Sequence, residues 1–279
     1  MLNTRSNFRE KSIKNKFEHN CNPWMYFDSI RCINLRERKD RYEQASEVFK
    51  KLKIPVEWFL TDRHPNGGMQ GCFESHLSCI KQAYESGAEN CLIFEDDVLD
   101  SSSASEYIKY LNQAIIFMES NSTWDLFYLG TCPNILSSKT FSVKGHPSIL
   151  KMSSLCTHSY IIHRRYMKKL ISSSYTGVPI DYIYMYNENV YGIYPSLFYQ
   201  RASPSDISGD MWNKIPIKHL WFRWMEMYAK YINKPIHKIS SVLAVGFILI
   251  CISLTFRGKI QRYCLVLIAL VVMVALWYI

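Results

Sequence analysis

The sequence predicts an α/β fold. Three observations carry that prediction: short β-rich runs alternate with segments of helical spacing between residues 29 and 171, the first two such runs are joined by one helix, and Cys91-Leu92-Ile93-Phe94 is apolar throughout, as a buried central strand requires. At 279 residues, 48% hydrophobic and 20% charged, the chain is long enough to bury one large core or two small ones, which excludes wholesale disorder.

Ile30 to Leu35 reads as the first strand, and Tyr42, Ala45, Val48, Phe49 and Leu52 then recur at helical spacing until Pro55. Val56 to Thr61 is the next strand, which makes a βαβ unit with a parallel sheet. Asn66-Gly67-Gly68 is a loop, followed by a helix whose face is marked by Phe73, Leu77, Ile80 and Tyr84 and which ends at Gly87. The strand at 91–94 ends in Glu95-Asp96-Asp97. A helix from Glu106 to Glu119, strands at 126–129 and 159–162, and a helix from Arg164 to Ile171 complete the body.

The ends of the chain are different material. Net charge is +9, yet basic residues outnumber acidic ones five to two in 1–20, six to one in 213–239 and three to none in 257–262, so the remaining body is slightly acidic. That distribution argues against nucleic acid as a partner, because phosphate binding needs cations clustered on the folded surface. Residues 240–256 and 263–279 are two uncharged runs of seventeen separated by Arg257-Gly258-Lys259-Ile260-Gln261-Arg262. They predict a transmembrane helical hairpin, with a buried core hairpin as the alternative.

Upstream, Trp212, Trp221, Phe222, Trp224, Tyr228 and Tyr231 are interleaved with lysines and Arg223, a mixture suited to the headgroup layer. The expected organisation is a basic tail at 1–24, a catalytic body at 25–212, a membrane-interface segment at 213–239 and the hairpin at 240–279. Six basic residues before the first run against three in the turn place the body on the cytoplasmic side. The first twenty residues contain no apolar run that would serve as a secretion signal. Nine cysteines, an odd number without a Cys-x-x-Cys pair, predict reduced and mostly buried thiols.

In open α/β sheets ligands bind beyond the carboxyl ends of the strands, where Glu95, Asp96 and Asp97 fall. Three adjacent carboxylates repel one another, so either a hard divalent cation and substrate phosphates compensate them or they form a solvated acidic turn. A nuclease or phosphotransferase centre with two ions is a further alternative, although no lysine follows until Lys109.

Around this triplet stand Asn34-Leu35-x-x-Arg38-x-x-Arg41, Gly71-x-x-x-Ser75-His76, Trp124-Asp125-x-x-Tyr128-Leu129-Gly130, Thr157-His158-x-Tyr160, Pro179-Ile180-Asp181 and Ser205-Asp206-Ile207. In this order and spacing, from Ser29 to Ser208, they resemble glycosyltransferase family 25, which contains lipooligosaccharide β-galactosyltransferases and procollagen galactosyltransferases. The resemblance implies a GT-A-like, Rossmann-related nucleotide-sugar-binding domain. Its implied activity is inverting transfer of a hexose, typically galactose from UDP-galactose, to a hydroxyl of a glycan, lipid-linked or protein acceptor, as in lipopolysaccharide biosynthesis.

It also implies roles. A Mn²⁺ or Mg²⁺ ion would bridge Asp97 to both phosphates, with Asp96 toward the ribose or a metal-bound water and His158 as a third metal or phosphate contact or, equally, a buried hydrogen-bonded histidine. Asn34, Arg38 and Arg41 are assigned to the donor, the arginines reaching uracil or phosphate unless they are solvated helix residues. Ser75 and His76, at a helix start, help to hold the donor or are simply capped. Glu74 adds a carboxylate there that would repel the diphosphate if it faced the donor. Asp181 is the general base, with a helix N-cap as its structural alternative, and Asp125 is the reserve, although its place at the start of a strand favours a structural role. A membrane-tethered inactive relative that binds a nucleotide sugar or acts as a scaffold is the rival function.

Overall fold

The structure, a computed structural model, describes residues 22–100, 104–131, 141–152, 154 and 156–201. The chain divides into two compact units, and every described residue belongs to the larger. The basic tail through residue 21, the Ser205-Asp206-Ile207 motif, the aromatic segment at 213–239 and both apolar runs lie outside the described residues. Among the described residues no helix is long and apolar enough to cross a membrane.

A short 3-10 turn at Pro23–Tyr26 leads into β1 (Ser29–Leu35), α1 (Lys39–Leu52), β2 (Glu57–Thr61), α2 (Gly68–Glu85), β3 (Asn90–Glu95) and β4 (Val98–Asp100). Then follow α3 (Ala104–Ser120), β5 (Leu126–Tyr128), β6 (Phe141–Val143), β7 (His146–Lys151), β8 (Ser159–His163), α4 (Arg164–Leu170), α5 (Ile180–Met185), β9 (Val190–Ile193) and β10 (Phe198–Gln200). The main sheet has the order β2-β1-β3-β8-β5-β9-β7-β6, and β10 and β4 form a separate antiparallel pair.

The expected βαβ unit is present: β1 pairs parallel with β2 and with β3. The sheet as a whole is mixed, because β8 runs antiparallel between β3 and β5 while β5 and β9 are parallel. Helix α1 stops where Lys53 takes a left-handed conformation (φ 54°) and its N–H closes on the carbonyls of Lys50 and Phe49, just before Pro55. Helix α2 begins earlier than its apolar stripe suggests, at Gly68, because Gly67 (φ 101°) supplies a backbone conformation that other residues rarely adopt.

Side chains of β3 alternate between the two faces of the sheet. Leu92 and Phe94 join Ala45, Val48 and Phe49 of α1 and Leu111 and Ile115 of α3 in one core. Cys91 and Ile93 join Phe73, Cys79 and Ile80 of α2, Met167 of α4 and Tyr184 of α5 in the other. Helices therefore cover both faces, and the strand ends left open between them are where a ligand can enter.

Gly130, just after β5, shows how tightly these layers meet. A Cβ there would lie 2.3 Å from His158 Nε2 and 2.5 Å from the Phe198 carbonyl oxygen. Gly130→Ala is therefore expected to destabilise the protein by about 1–3 kcal/mol in urea unfolding. Unchanged stability would show that this turn has room to give.

Candidate active site

Strands β1 and β3 end side by side, and the acidic triplet at the end of β3 is folded inward rather than left in solvent. Asp96 and Asp97 are both buried. Asn34 occupies the buried register of β1 shared by Ile30 and Cys32, which carries its amide to Asp96: Nδ2 donates to Oδ2 at 2.7 Å. Arg41 lies in the first turn of α1 on the stripe it shares with Ala45, Val48 and Phe49, so it too points inward. Its NH1 donates to Asp96 Oδ1 at 2.9 Å and lies 3.8 Å from Asp97 Oδ2. Burial raises the Asp96 carboxyl above its ordinary range, and Arg41 and Asn34 pull it part of the way back.

Asp97 is less fully compensated. Gln200 Nε2 donates to its Oδ2 at 3.0 Å, while Oδ1 is buried with no hydrogen-bond partner among the described residues. Burial, and next the charge of Glu95, push its pKa up to about 7. Glu95 goes the other way. Burial alone would raise it, but His76 Nε2 at 3.4 Å and the Thr157 hydroxyl, which donates to Oε1 at 2.6 Å, hold it down at about 2. His76 Nδ1 is 2.9 Å from the Tyr160 hydroxyl, which is 3.0 Å from that of Tyr184 in α5. A buried polar chain thus runs from the acidic strand end to the helix that carries Asp181.

These groups border a cavity of about 210 Å³ at the carboxyl ends of β1, β2 and β3. Asn34, Arg41, Ser75, His76, Asp96 and Asp97 all line it, so the structure gathers six of the candidate residues around one cavity. Several of them are not disposed as their spacing suggests. Ser75 and His76 do not begin a helix: α2 starts at Gly68, and both sit on its buried face, with the Ser75 hydroxyl bonded back to the Gly71 carbonyl at 2.6 Å. Arg41 lines the cavity with its guanidinium on the protein's own acids. Arg38 pairs with Asp40 at 2.8 Å and does not line the cavity. Glu74 is drawn off by His64 at 3.2 Å and Gln70 at 2.7 Å, and it too is absent from the lining.

Asp125 is at the opposite end of the sheet, at the start of β5. Arg165 Nε donates to its Oδ1 at 2.8 Å, and Asn187 and Asn189 donate to its Oδ2, so this carboxylate ties the α4 and β9 segments together and does not reach the cavity. His158 is buried, with Nε2 3.4 Å from the Phe198 carbonyl, and it too is outside the lining. Burial lowers its pKa, which keeps the imidazole neutral. Asp181 is in the first turn of α5, but Pro179 takes the cap position, and Asp181 Oδ1 accepts from Tyr182 N at 3.0 Å. Its carboxyl is raised by burial first and also responds to the charges of Glu95 and His76. Asp181 does not line the cavity; Cys72, which does, has its thiol raised by burial first and also by the charges of Glu95 and Asp181.

Among the described residues no group of three or more His, Cys, Asp or Glu is arranged as a metal cage. The donor set nevertheless suits a hard cation shared with a ligand's phosphates. Asp97 Oδ1 is buried and unpartnered, and such ions are commonly held by one or two carboxylates with phosphate oxygens completing the shell. Both oxygens of Asp96 already accept hydrogen bonds.

Sequence reasoning missed Gln200 and Arg201, which reach the cavity from more than a hundred residues away through the β10–β4 pair. The expected reduced thiols are found at Cys32, Cys72, Cys79 and Cys91, but Cys156 is disulfide-bonded.

The raised pKa of Asp97 has a pH signature. Unfolded, the carboxyl ionises near 3.8, whereas the folded protein keeps the proton until about 7, so stability falls as pH rises between those values. The stability advantage of Asp97→Asn over the wild type should therefore grow from pH 4 to pH 7 and then level off in urea unfolding. An advantage independent of pH would contradict this placement of Asp97.

The sequence model of Glycosyltransferase family 25 (LPS biosynthesis protein) matches residues 4–184. Procollagen galactosyltransferase 2 of Homo sapiens is 27% identical over 209 residues, covering 63% of this chain and 33% of that protein. Inactive glycosyltransferase 25 family member 3 of Mus musculus is 26% identical over 159 residues, covering 51% of this chain and 26% of that protein. This chain thus matches a third or less of the length of either relative. A solved glycosyltransferase involved in the glycosylation of the major capsid of PBCV-1 aligns with a TM-score of 0.38 at 13% identity, covering 71% of this chain and 99% of that one, a likeness too low to bear on the fold. The family match takes in β1 through most of α5, and with them the acidic strand end and the cavity's lining residues apart from Gln200 and Arg201: this chain belongs to glycosyltransferase family 25.

Proposed function

We propose that this chain is an inverting hexosyltransferase that moves a hexose, in the simplest case galactose, from a UDP-sugar to a hydroxyl of a glycan, lipid-linked or protein acceptor. The observation that carries the reading is the cavity at the carboxyl ends of β1–β3, where a GT-A-like arrangement would seat the donor and where Asp97 presents an unpartnered carboxylate oxygen. Family membership and the name of the 27% identical galactosyltransferase support the sugar chemistry.

Displacement at the anomeric carbon needs a base for the incoming hydroxyl and a sink for charge on the leaving diphosphate. Asp181 is the base in this reading: burial raises its carboxyl toward the range in which a proton is readily taken and passed on. Asp97 Oδ1 would hold Mn²⁺ or Mg²⁺, which when bound offsets phosphate charge. Asp96, locked by Asn34 and Arg41, sets the position of its neighbour Asp97. Glu95 is held by His76 and Thr157 and forms the floor. A membrane-proximal acceptor is part of the proposal and rests on the two apolar runs of the sequence alone.

A second reading, donor binding without transfer, is favoured by the commitment of both Asp96 oxygens and by a relative whose name calls it inactive. One experiment separates the two. The full chain, Asp97→Asn and Asp181→Asn are melted with a panel of UDP-sugars with and without Mn²⁺, and sugar transfer and donor hydrolysis are followed in parallel. At a hundredfold excess over Kd, one UDP-sugar should raise the wild-type melting temperature by roughly 5–10 °C. The rise should vanish in Asp97→Asn and persist in Asp181→Asn, which should lose transfer. Stabilisation without turnover in the wild type would favour the binder, and normal turnover by Asp181→Asn would remove Asp181 from the mechanism.

A further inference from the structure

The cavity is lined by four carboxylates, Asp62, Glu95, Asp96 and Asp97, and a diphosphate entering it needs compensating positive charge. Three arginines line it as well. Arg41 is spent on Asp96, and Arg63 is bonded to Glu37. Arg201, unlike both, makes no ion pair among the described residues, and its Nε is buried there with no hydrogen-bond partner.

Its backbone, in contrast, is firmly placed. Arg201 N donates to the Asp97 carbonyl at 2.6 Å, Gln200 Nε2 binds the Asp97 carboxylate, and Gln200 stands opposite Val98 in the β10–β4 pair. A guanidinium N–H removed from water without an acceptor is costly, and it is the unusual state for a buried donor. A positioned arginine with an unmet donor, beside an acid with an unmet acceptor and inside a cavity, is matched by a ligand carrying phosphate oxygens. The planar fork of arginine engages such oxygens two at a time, which the point charge of lysine does not.

We infer that Arg201 is the residue that binds the diphosphate of the nucleotide donor, the part expected of Arg38 and Arg41 from their spacing. The inference rests on the donor-site reading above and goes beyond it by assigning the phosphate contact to the end of β10. There Arg201 and Asp97, joined through their backbones, are placed together whenever β10 and β4 pair. Arg201 then bears on affinity for the charged portion of the donor and not on affinity for the nucleoside.

Calorimetric titration of the full chain with UDP, uridine and inorganic pyrophosphate, on the wild type, Arg201→Gln and Arg201→Lys, tests this. Arg201→Gln should weaken UDP about ten- to a hundredfold and leave uridine unchanged, as expected for loss of a hydrogen bond to a charged group. Arg201→Lys should recover part of the loss. The melting temperature of the ligand-free variants checks that the fold is kept. Equal UDP affinity in wild type and Arg201→Gln overturns the inference while leaving the donor site standing, and parallel loss of UDP and uridine overturns it in favour of a structural role. Failure of the wild type to bind either UDP or pyrophosphate overturns the donor-site reading, and the inference with it.

Discussion

The burial of consecutive carboxylates at the end of β3 is the constraint around which this molecule is arranged. Two like unit charges about 4 Å apart repel by roughly 4 kcal/mol at an effective dielectric near 20, so the triplet cannot be buried without partners. Each acid is answered differently. Glu95 has an imidazole and a hydroxyl, Asp96 an arginine and an amide, and Asp97 a glutamine and a raised pKa. The partners come from β1, α1, α2, the approach to β8 and the strand β10, so compensating the triplet draws both core layers to one strand end. Asp97 Oδ1 and Arg201 Nε are left without hydrogen-bond partners among the described residues, and both residues line the cavity.

Much of this was legible in the sequence, and the reason is periodicity. The first two strands and the three long helices carry repeats of two or 3.6 over enough residues to be read, and the central strand is a continuous apolar run. The mixed character of the sheet was not legible. β8 is inserted antiparallel between β3 and β5, and β4, β5, β6 and β10 are three residues each, too short to announce their partners. At the site, the residue types were readable and their directions were not always drawn correctly. Arg41 shares the buried stripe 41, 45, 48 and 49, a signal that it turns inward, whereas the motif spacing points it toward a phosphate. Ser75 and His76 likewise share the buried face of α2 with Cys79, Ile80 and Ala83. For Gln200 and Arg201 no local signal exists, because only strand pairing across a hundred residues brings them in.

The polar chain from Glu95 through His76 and Tyr160 to Tyr184 connects the acidic strand end to the helix that carries the proposed base. Tyr184 and Asp181 share the short helix α5, so the chain sets the distance between the proposed base and the acidic strand end. Asp125, read from sequence as a reserve catalyst, is a fastening of the opposite end of the sheet, where it receives Arg165 and two asparagines. The Asp125 carboxylate thus has partners on both oxygens, whereas at the other end of the sheet Asp97 Oδ1 has none among the described residues.

The central claim is that the cavity at the ends of β1–β3 seats a nucleotide sugar. Its most direct test is photocrosslinking of the full chain with a photoreactive UDP-sugar analogue, followed by peptide mapping. The account predicts label on peptides spanning 61–76, 95–97 or 200–201, suppressed by excess unmodified donor. Competed label confined to the opposite end of the sheet, around Asp125 and Asn187, would contradict it.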